Sequence, residues 1–224
     1  NTRDKQQSYE LRRRLLKIFN PELGGTLAYE YGSFKRIINC RLHGKPDVGR
    51  KSVLQQFSLQ LDCLNPFWRE EDEQKEDIAS WVAAWHFPCV IEKDNSKSMI
   101  FGYRAESVIV DCFNEGDVST GMRVRFTALG TVTNPIILNV DTEEFIKLNV
   151  TMQTGDVIEV NTKYGSKGAT LTRDGVKYDY FRKVDVDSTF MQLDIGDNNF
   201  RYDAEGGVNS MEVSIFYDRE YLGV

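Results

Sequence analysis

The chain has 224 residues, 41% of them hydrophobic and 28% charged, with 34 acidic against 28 basic side chains and a net charge of -6. That balance supplies a buried core and excludes wholesale disorder, and the acidic excess argues against a dedicated nucleic-acid binder, which gathers basic residues on one face. No run approaches the ~18 apolar residues of a membrane span, the polar start has none of the character of a secretory signal, and the length suits two modest domains.

In chain order, Ser8 is placed to cap a helix from Tyr9 to about Phe19, in which Leu11, Leu15, Ile18 and Phe19 recur at helical spacing and Pro21 follows the end. Arg12, Arg13, Arg14 and Lys17 give it a basic face, which reads as solvated or as a partner contact. After Gly24 and Gly25 the period changes to two, and strands are predicted at Thr26 to Tyr31, Phe34 to Leu42 and Val53 to Cys63. In the last, Phe57, Leu59, Leu61 and Cys63 alternate with Ser58, Gln60 and Asp62, the pattern of a strand with one covered face. Asn65-Pro66 ends it. The charged stretch from Arg69 to Asp77 is the candidate domain boundary, and a short apolar patch with Trp81, Val82 and Trp85 follows.

From Phe87 onward the pattern is all-β. Strands are predicted at Val108 to Phe113, Met122 to Ala128, Ile136 to Val140, Phe145 to Val150, Val157 to Asn161, Ala169 to Arg173, Phe190 to Leu193 and Met211 to Tyr217. Eight strands at this spacing suggest a sandwich. Asp174-Gly175 supplies a tight hairpin turn, and Thr154-Gly155-Asp156 and Gly196-Asp197-Asn198 supply others. Cys40, Cys63, Cys89 and Cys112 are widely spaced, without a C-x-x-C pair, and read as buried reduced thiols.

A search for chemistry finds little. The two histidines, His43 and His86, lie near no nucleophile motif. Glu143 with Glu144, Asp185 with Asp187, and Asp194 with Asp197 pair carboxylates as a glycosidase requires, but they sit beside turns, where such residues cap backbone amides. Asp194-Ile-Gly-Asp-Asn-Asn lacks the spacing and closing glutamate of a helix-loop-helix calcium site, and Tyr164-Gly-Ser-Lys-Gly-Ala-Thr lacks the order of a phosphate loop. Tyr178, Tyr180 and Phe181 offer a sugar-stacking platform or, more simply, cross-strand packing. No catalytic residue, cofactor or metal site is expected.

One set of motifs is more specific in order than in any single member. Leu59-Gln-Leu-Asp-Cys-Leu-Asn-Pro-Phe-Trp68 is an alternating strand running into an Asn-Pro-aromatic turn. Asn114-Glu-Gly-Asp117, Arg123-Val-Arg-Phe126, Thr133-Asn-Pro-Ile-Ile137, Thr154-Gly-Asp-Val-Ile158, Asp174-Gly175, Gly196-Asp-Asn198 and Tyr221-Leu-Gly-Val224 follow. In this order, from Leu59 to Val224, the chain resembles the distal tail proteins of long-tailed siphophages and related prophages.

The resemblance implies a mainly β chain: the C-terminal part of a tail-tube-like ring domain over residues 1–76, made of a helix and antiparallel strands, then a galectin-like antiparallel β-sandwich over 77–224. It implies a structural component of the phage tail tip, made in the host cytoplasm, in which six copies form a ring. The implied partners are the tail-tube protein, the tail hub, the tape-measure protein and receptor-binding adhesion proteins carried on the sandwich. Members usually carry a further stretch before the helix near Ser8, and this sequence departs from that pattern. Charge complementarity marks Arg12, Arg13, Arg14 and Lys17 as a candidate subunit interface, facing a neighbour's Glu70 to Asp77. The alternative is a carbohydrate-binding sandwich that recognises cell-wall glycans.

Overall fold

A computed structural model describes residues 5–48, 57–79, 81–83, 102–104 and 109–224. The chain divides into two units, residues 1–71 with 220–224, and residues 72–219.

In the first unit α1 (Lys5–Ile18) is followed by β1 (Gly24–Tyr31), β2 (Phe34–Leu42), β3 (Asp47–Val48), β4 (Phe57–Ser58), β5 (Leu61–Asp62) and β6 (Trp68–Arg69). β1 and β2 form a continuous antiparallel hairpin from Gly24↔Arg41 to Tyr31↔Phe34. β5 and β6 pair along the other edge of β2, and β3 pairs separately with β4. Ile37, Ile38 and Leu42 of β2 are buried, whereas every residue of β1 is exposed.

The second unit is built on two sheets. The larger contains β7 (Gln74–Ala79), β11 (Thr120–Ala128), β15 (Val157–Asn161), β16 (Gly168–Arg173), β17 (Val176–Asp179), β18 (Gln192–Leu193) and β20 (Met211–Tyr217). Its order is β17-β16-β15-β11-β20-β7, with β18 beside β11. The smaller contains β10 (Ile109–Asp111), β12 (Val132–Asn139), β13 (Phe145–Lys147), β14 (Thr151–Met152) and β19 (Asn199–Gly206) in the order β10-β19-β12-β13, with β14 beside β12. A separate pair joins β8 (Trp81–Ala83) to β9 (Gly102–Arg104). β21 (Glu220–Tyr221) then returns the chain to the first unit, pairing with β6.

Period-two patterning explains the second unit. Along β11, Met122, Val124, Phe126 and Ala128 are buried while Arg123, Arg125 and Thr127 alternate outward. β15 and β20 repeat the alternation, and one apolar cluster draws on both sheets, with Val132, Ile137, Phe200 and Tyr202 coming from the smaller. Each large side chain fully buried in this way contributes about 1.5–3 kcal/mol. The result is the predicted sandwich, mainly β and galectin-like in fold.

Turn chemistry fixes the register. Asp174 and Gly175 have φ of 51° and 77°, the two left-handed residues that a tight hairpin needs between β16 and β17. At Gly207, φ is 73° and an added Cβ would stand 2.0 Å from the Thr131 carbonyl oxygen, so only glycine fits between β19 and β20.

Several expectations need correction. The helix begins at Lys5, so Ser8 lies within its span and does not cap it; Lys5, Gln6 and Gln7 are adequate helix formers and extend it. Of its expected apolar face, Leu11 and Ile18 are 54% and 64% exposed. The run Val53 to Cys63 is not one strand: β4 pairs with β3 and β5 with β2, so the two halves serve different partners. Phe57 is exposed and Leu59, Leu61 and Cys63 are only half-buried, and residues 53–56 lie outside the described residues. The division between the units falls inside the acidic stretch, after Glu71, and its second half is already strand, since β7 begins at Gln74 and buries Ile78 against the sandwich core. Charge suits it because β7 is an edge strand, where charged side chains discourage pairing with other chains. The predicted strands at 145–150 and 190–193 shorten to β13 and β18. Cys112 is buried as expected, but Cys40 and Cys63 are half-buried. His86, Cys89, Trp85 and residue 108 fall outside the described residues.

Candidate functional site

The residues of the ordered motifs are structural pegs. Asn114, fully buried, donates through its side-chain amide to the Val118 and Leu193 carbonyls at 3.0 and 3.3 Å and accepts from the Gly116 amide at 3.0 Å. It also bridges to Gly196 through the backbone. Asn198 answers it: its amide reaches the carbonyls of Cys112, Asp194 and Gly196 at 3.3, 2.8 and 3.0 Å, and its oxygen accepts from the Asp194 amide at 2.9 Å. The loop that loosely resembles a calcium site is therefore filled by its own asparagine. Asn134, at φ 49°, receives the Val150 amide and donates to Glu205.

Asp156 is the one buried carboxylate of this set. The Arg173 guanidinium binds it through Nε at 2.7 Å and through Nη2, and the Gln153 amide donates to it at 2.8 Å. The Arg173 hydrogen bonds hold its carboxyl below the usual range against the opposing effect of burial. The turn Thr154-Gly-Asp that leads into β15 is thereby bolted to β16.

The candidate catalytic groups do not converge. His43 meets only Asp62, through Nδ1 at 2.6 Å, and both side chains are largely exposed. Glu143 occupies a left-handed turn position at φ 60°. Asp185 accepts from the Asn149 side chain and the Asp187 amide, which hold its carboxyl below the usual range, the ordinary work of an acid beside a turn. Among the described residues no three His, Cys, Asp or Glu side chains gather as a metal site. Of the aromatics considered for sugar stacking, Tyr180 packs on the core and Phe181 stacks on Phe190 at 5.9 Å. Tyr178 and Phe181 still line an open groove of about 450 Å³ with Lys167 and Lys177.

The basic helix residues Arg13, Arg14 and Lys17 are exposed and Arg12 is half-buried. Much of the acidic stretch is already paired within the chain. Lys35 meets Glu71 at 2.7 Å, Arg36 approaches Glu70 at 3.6 Å, Arg123 and Lys163 share Glu73, and Lys75 meets Asp77. Patterning did not disclose the outer face of the larger sheet. There Arg123 and Arg125 lie over the Phe216 ring at 4.6 and 4.7 Å and both bond Glu159. The signal was present in Arg123-Val-Arg125, two like charges on one face that demand a shared acid. Nor was the anchor of β21 foreseen: Arg36 lies 3.0 Å over the Tyr221 ring, and the Tyr221 hydroxyl donates to Glu70 at 2.9 Å. Tyr221→Phe is expected to cost about 1 kcal/mol through that lost charged hydrogen bond, read as a small fall in the unfolding midpoint of the first unit.

The second unit is a two-sheet antiparallel sandwich pinned by buried asparagines. Residues 115–221 match the family described as siphovirus-type tail component, C-terminal domain. No curated protein matches the chain. Among solved structures it is similar to SPP1 Dit, described as a paradigm of the hub adsorption apparatus in phages that infect Gram-positive hosts. That likeness has a TM-score of 0.67 at 12% identity, over 99% of this chain and 75% of the other. The phage P2 baseplate in its activated conformation with calcium is similar too, at TM-score 0.52 and 10% identity over 100% of this chain and 77% of the other. The same baseplate with strontium gives 0.52 at 11% identity, over 98% and 76%. The chain is a structural component of a phage tail and is virion-associated. Among the described residues no helix is long and apolar enough to cross a membrane.

Proposed function

We propose that six copies of this chain close into a ring at the distal end of the tail tube, through the first unit, and that the sandwich projects as the platform for receptor-binding adhesion proteins. One observation carries this reading: the two units differ in how completely they cover their own apolar side chains. The second holds one closed core. The first leaves Tyr9, Leu11, Ile18 and Tyr31 at 54–77% exposure and β1 exposed along its whole length. Exposed apolar side chains in this number call for cover by another protein, and a cyclic assembly supplies it by setting two different patches of each copy together. The tail-tube protein, the hub and the tape-measure protein are the neighbours that such a ring would meet, and synthesis takes place in the host cytoplasm. The role asks for no catalytic group.

Arg12, Arg13, Arg14 and Lys17 border the exposed helix surface and are assigned to the subunit interface, where an acidic neighbour steers association. Light scattering over a range of concentrations is expected to give six times the 25.8 kDa chain mass, and charge reversal of Arg12, Arg13 and Arg14 is expected to lower it. A monomer at every concentration overturns the ring. An unchanged ring after charge reversal removes the basic helix from the interface.

A further inference from the structure

Two of the cysteines face each other across one ladder. β5 pairs with β2 through Arg41↔Asp62 and Leu42↔Leu61, and continuing that register one residue past the end of β5 sets Cys40 against Cys63. The His43 amide donates to the Gln60 carbonyl at 2.8 Å, which makes that rung a hydrogen-bonded one. Rungs alternate, so Arg41/Asp62 is hydrogen-bonded and Cys40/Cys63 is not. Side chains approach most closely at rungs of this second type, where Cα atoms stand about 4.5 Å apart. That lies inside the window of about 4.4–6.8 Å that a disulfide spans. An independent sign of proximity is electrostatic: after burial, the Cys40 sulfur is the next cause that raises the Cys63 thiol pKa. Both thiols are free and half-buried. Cys40 also lines an open groove of about 700 Å³ beside Gly24, Gly25 and Leu64, which gives solutes a route to its sulfur.

We propose that Cys40 and Cys63 form a redox pair that closes to a cross-strand disulfide in an oxidising medium and fastens the segment 57–65 to β2. The oxidant is a small aliphatic disulfide. The Cys40 thiolate attacks one of its sulfurs, forming a mixed disulfide and releasing one thiolate. The Cys63 thiolate then attacks Cys40 Sγ and releases the second. One S–S bond is consumed and one is formed, the two cysteines lose their protons, and two small thiols are the reduced product. The second step is the slower at neutral pH, because Cys63 holds its proton there. Cys112 takes no part, being fully buried with its thiol pushed up to about 12 by that burial. The chemistry stands independently of the ring. Its timing follows from the life of a tail component, assembled among reducing thiols and used outside the cell.

Oxidised glutathione is the probe. On the purified chain at about pH 8, where thiolates are accessible, the free-thiol titre is expected to fall by two from the four cysteines of the sequence. Peptide mapping joins Cys40 to Cys63, and no glutathione stays bound. Cys63→Ser stops after the first step and retains one glutathionyl group on Cys40. Closing the pair raises the unfolding midpoint of the first unit by about 10 °C, a shift absent from the Cys40→Ser/Cys63→Ser double variant. Glutathione retained on both cysteines, Cys40 joined to a different cysteine, or an unchanged thiol titre overturns the proposal.

Discussion

Replacing Arg173 with alanine is expected to lower the stability of the sandwich at neutral pH, because it strands a buried carboxylate. Asp156 is 2% exposed, and apart from Arg173 it keeps only the Gln153 amide. The pH dependence distinguishes this from a simple packing defect. In the intact protein the folded pKa of Asp156 lies below its usual value. The pair therefore contributes stability that is present above about pH 4 and is lost as pH falls through the folded pKa. Without Arg173, burial dominates and raises the folded pKa. The variant then carries a penalty at neutral pH that is relieved as pH falls through the raised value. Urea unfolding at successive pH values should show the gap between the two proteins narrowing on acidification. A gap constant from neutral pH to about pH 3 would falsify the assignment. Asp156→Asn added to the variant is expected to restore part of the loss, since a neutral amide is cheaper to bury than an unpaired charge.

The second large effect is expected at Asn198. Its buried side chain serves three carbonyls and one amide, and alanine leaves all four without that partner. Orphaned buried groups cost about 1–3 kcal/mol each, less what the loop recovers by shifting. A net loss of about 3 kcal/mol follows, seen as a fall of roughly 6–12 °C in the midpoint of the second unit. Asn198→Asp is expected to be no better, because a carboxylate cannot donate to the three carbonyls. Asn149→Ala, at an exposed position whose amide meets only Asp185, serves as the control and should change stability by less than about 0.5 kcal/mol. Equal losses at Asn149 and Asn198 would mean that the buried network is not what holds the loop.

Sequence patterning located the sandwich because period two is a direct imprint of burial on one face. β15 and β20 fall on their predicted bounds, since Val157 to Asn161 and Met211 to Tyr217 alternate without interruption. The same reasoning failed at Val53 to Cys63, where alternation was real but the run is shared between β3 and β2. Patterning reports which residues alternate and carries no information on how many partners they serve. At the acidic stretch the division between the units falls after Glu71, but patterning did not show that the residues from Gln74 form an edge strand. The surface features were less legible still. Arg123, Arg125, Glu159 and Phe216 come from three strands, and Arg36, Glu70 and Tyr221 from points far apart in the chain, so neither group forms a local motif. Sequence order did expose the pegs, Asn114, Asn134, Asp156 and Asn198. Asn114, Asp156 and Asn198 stand at turns and Asn134 at a left-handed position within β12, where backbone groups must be satisfied and few residue types can do so.

β21 is the last strand of the first unit's sheet, although the whole of the sandwich precedes it in the chain. On the ribosome, therefore, a nascent chain stalled before Glu220 carries every strand of the sandwich while Trp68 and Arg69 still wait for their neighbour and Arg36 for the ring of Tyr221. The unit with exposed apolar surface is thus completed last. The first sheet is therefore closed by a strand that the ribosome makes only after those of the sandwich.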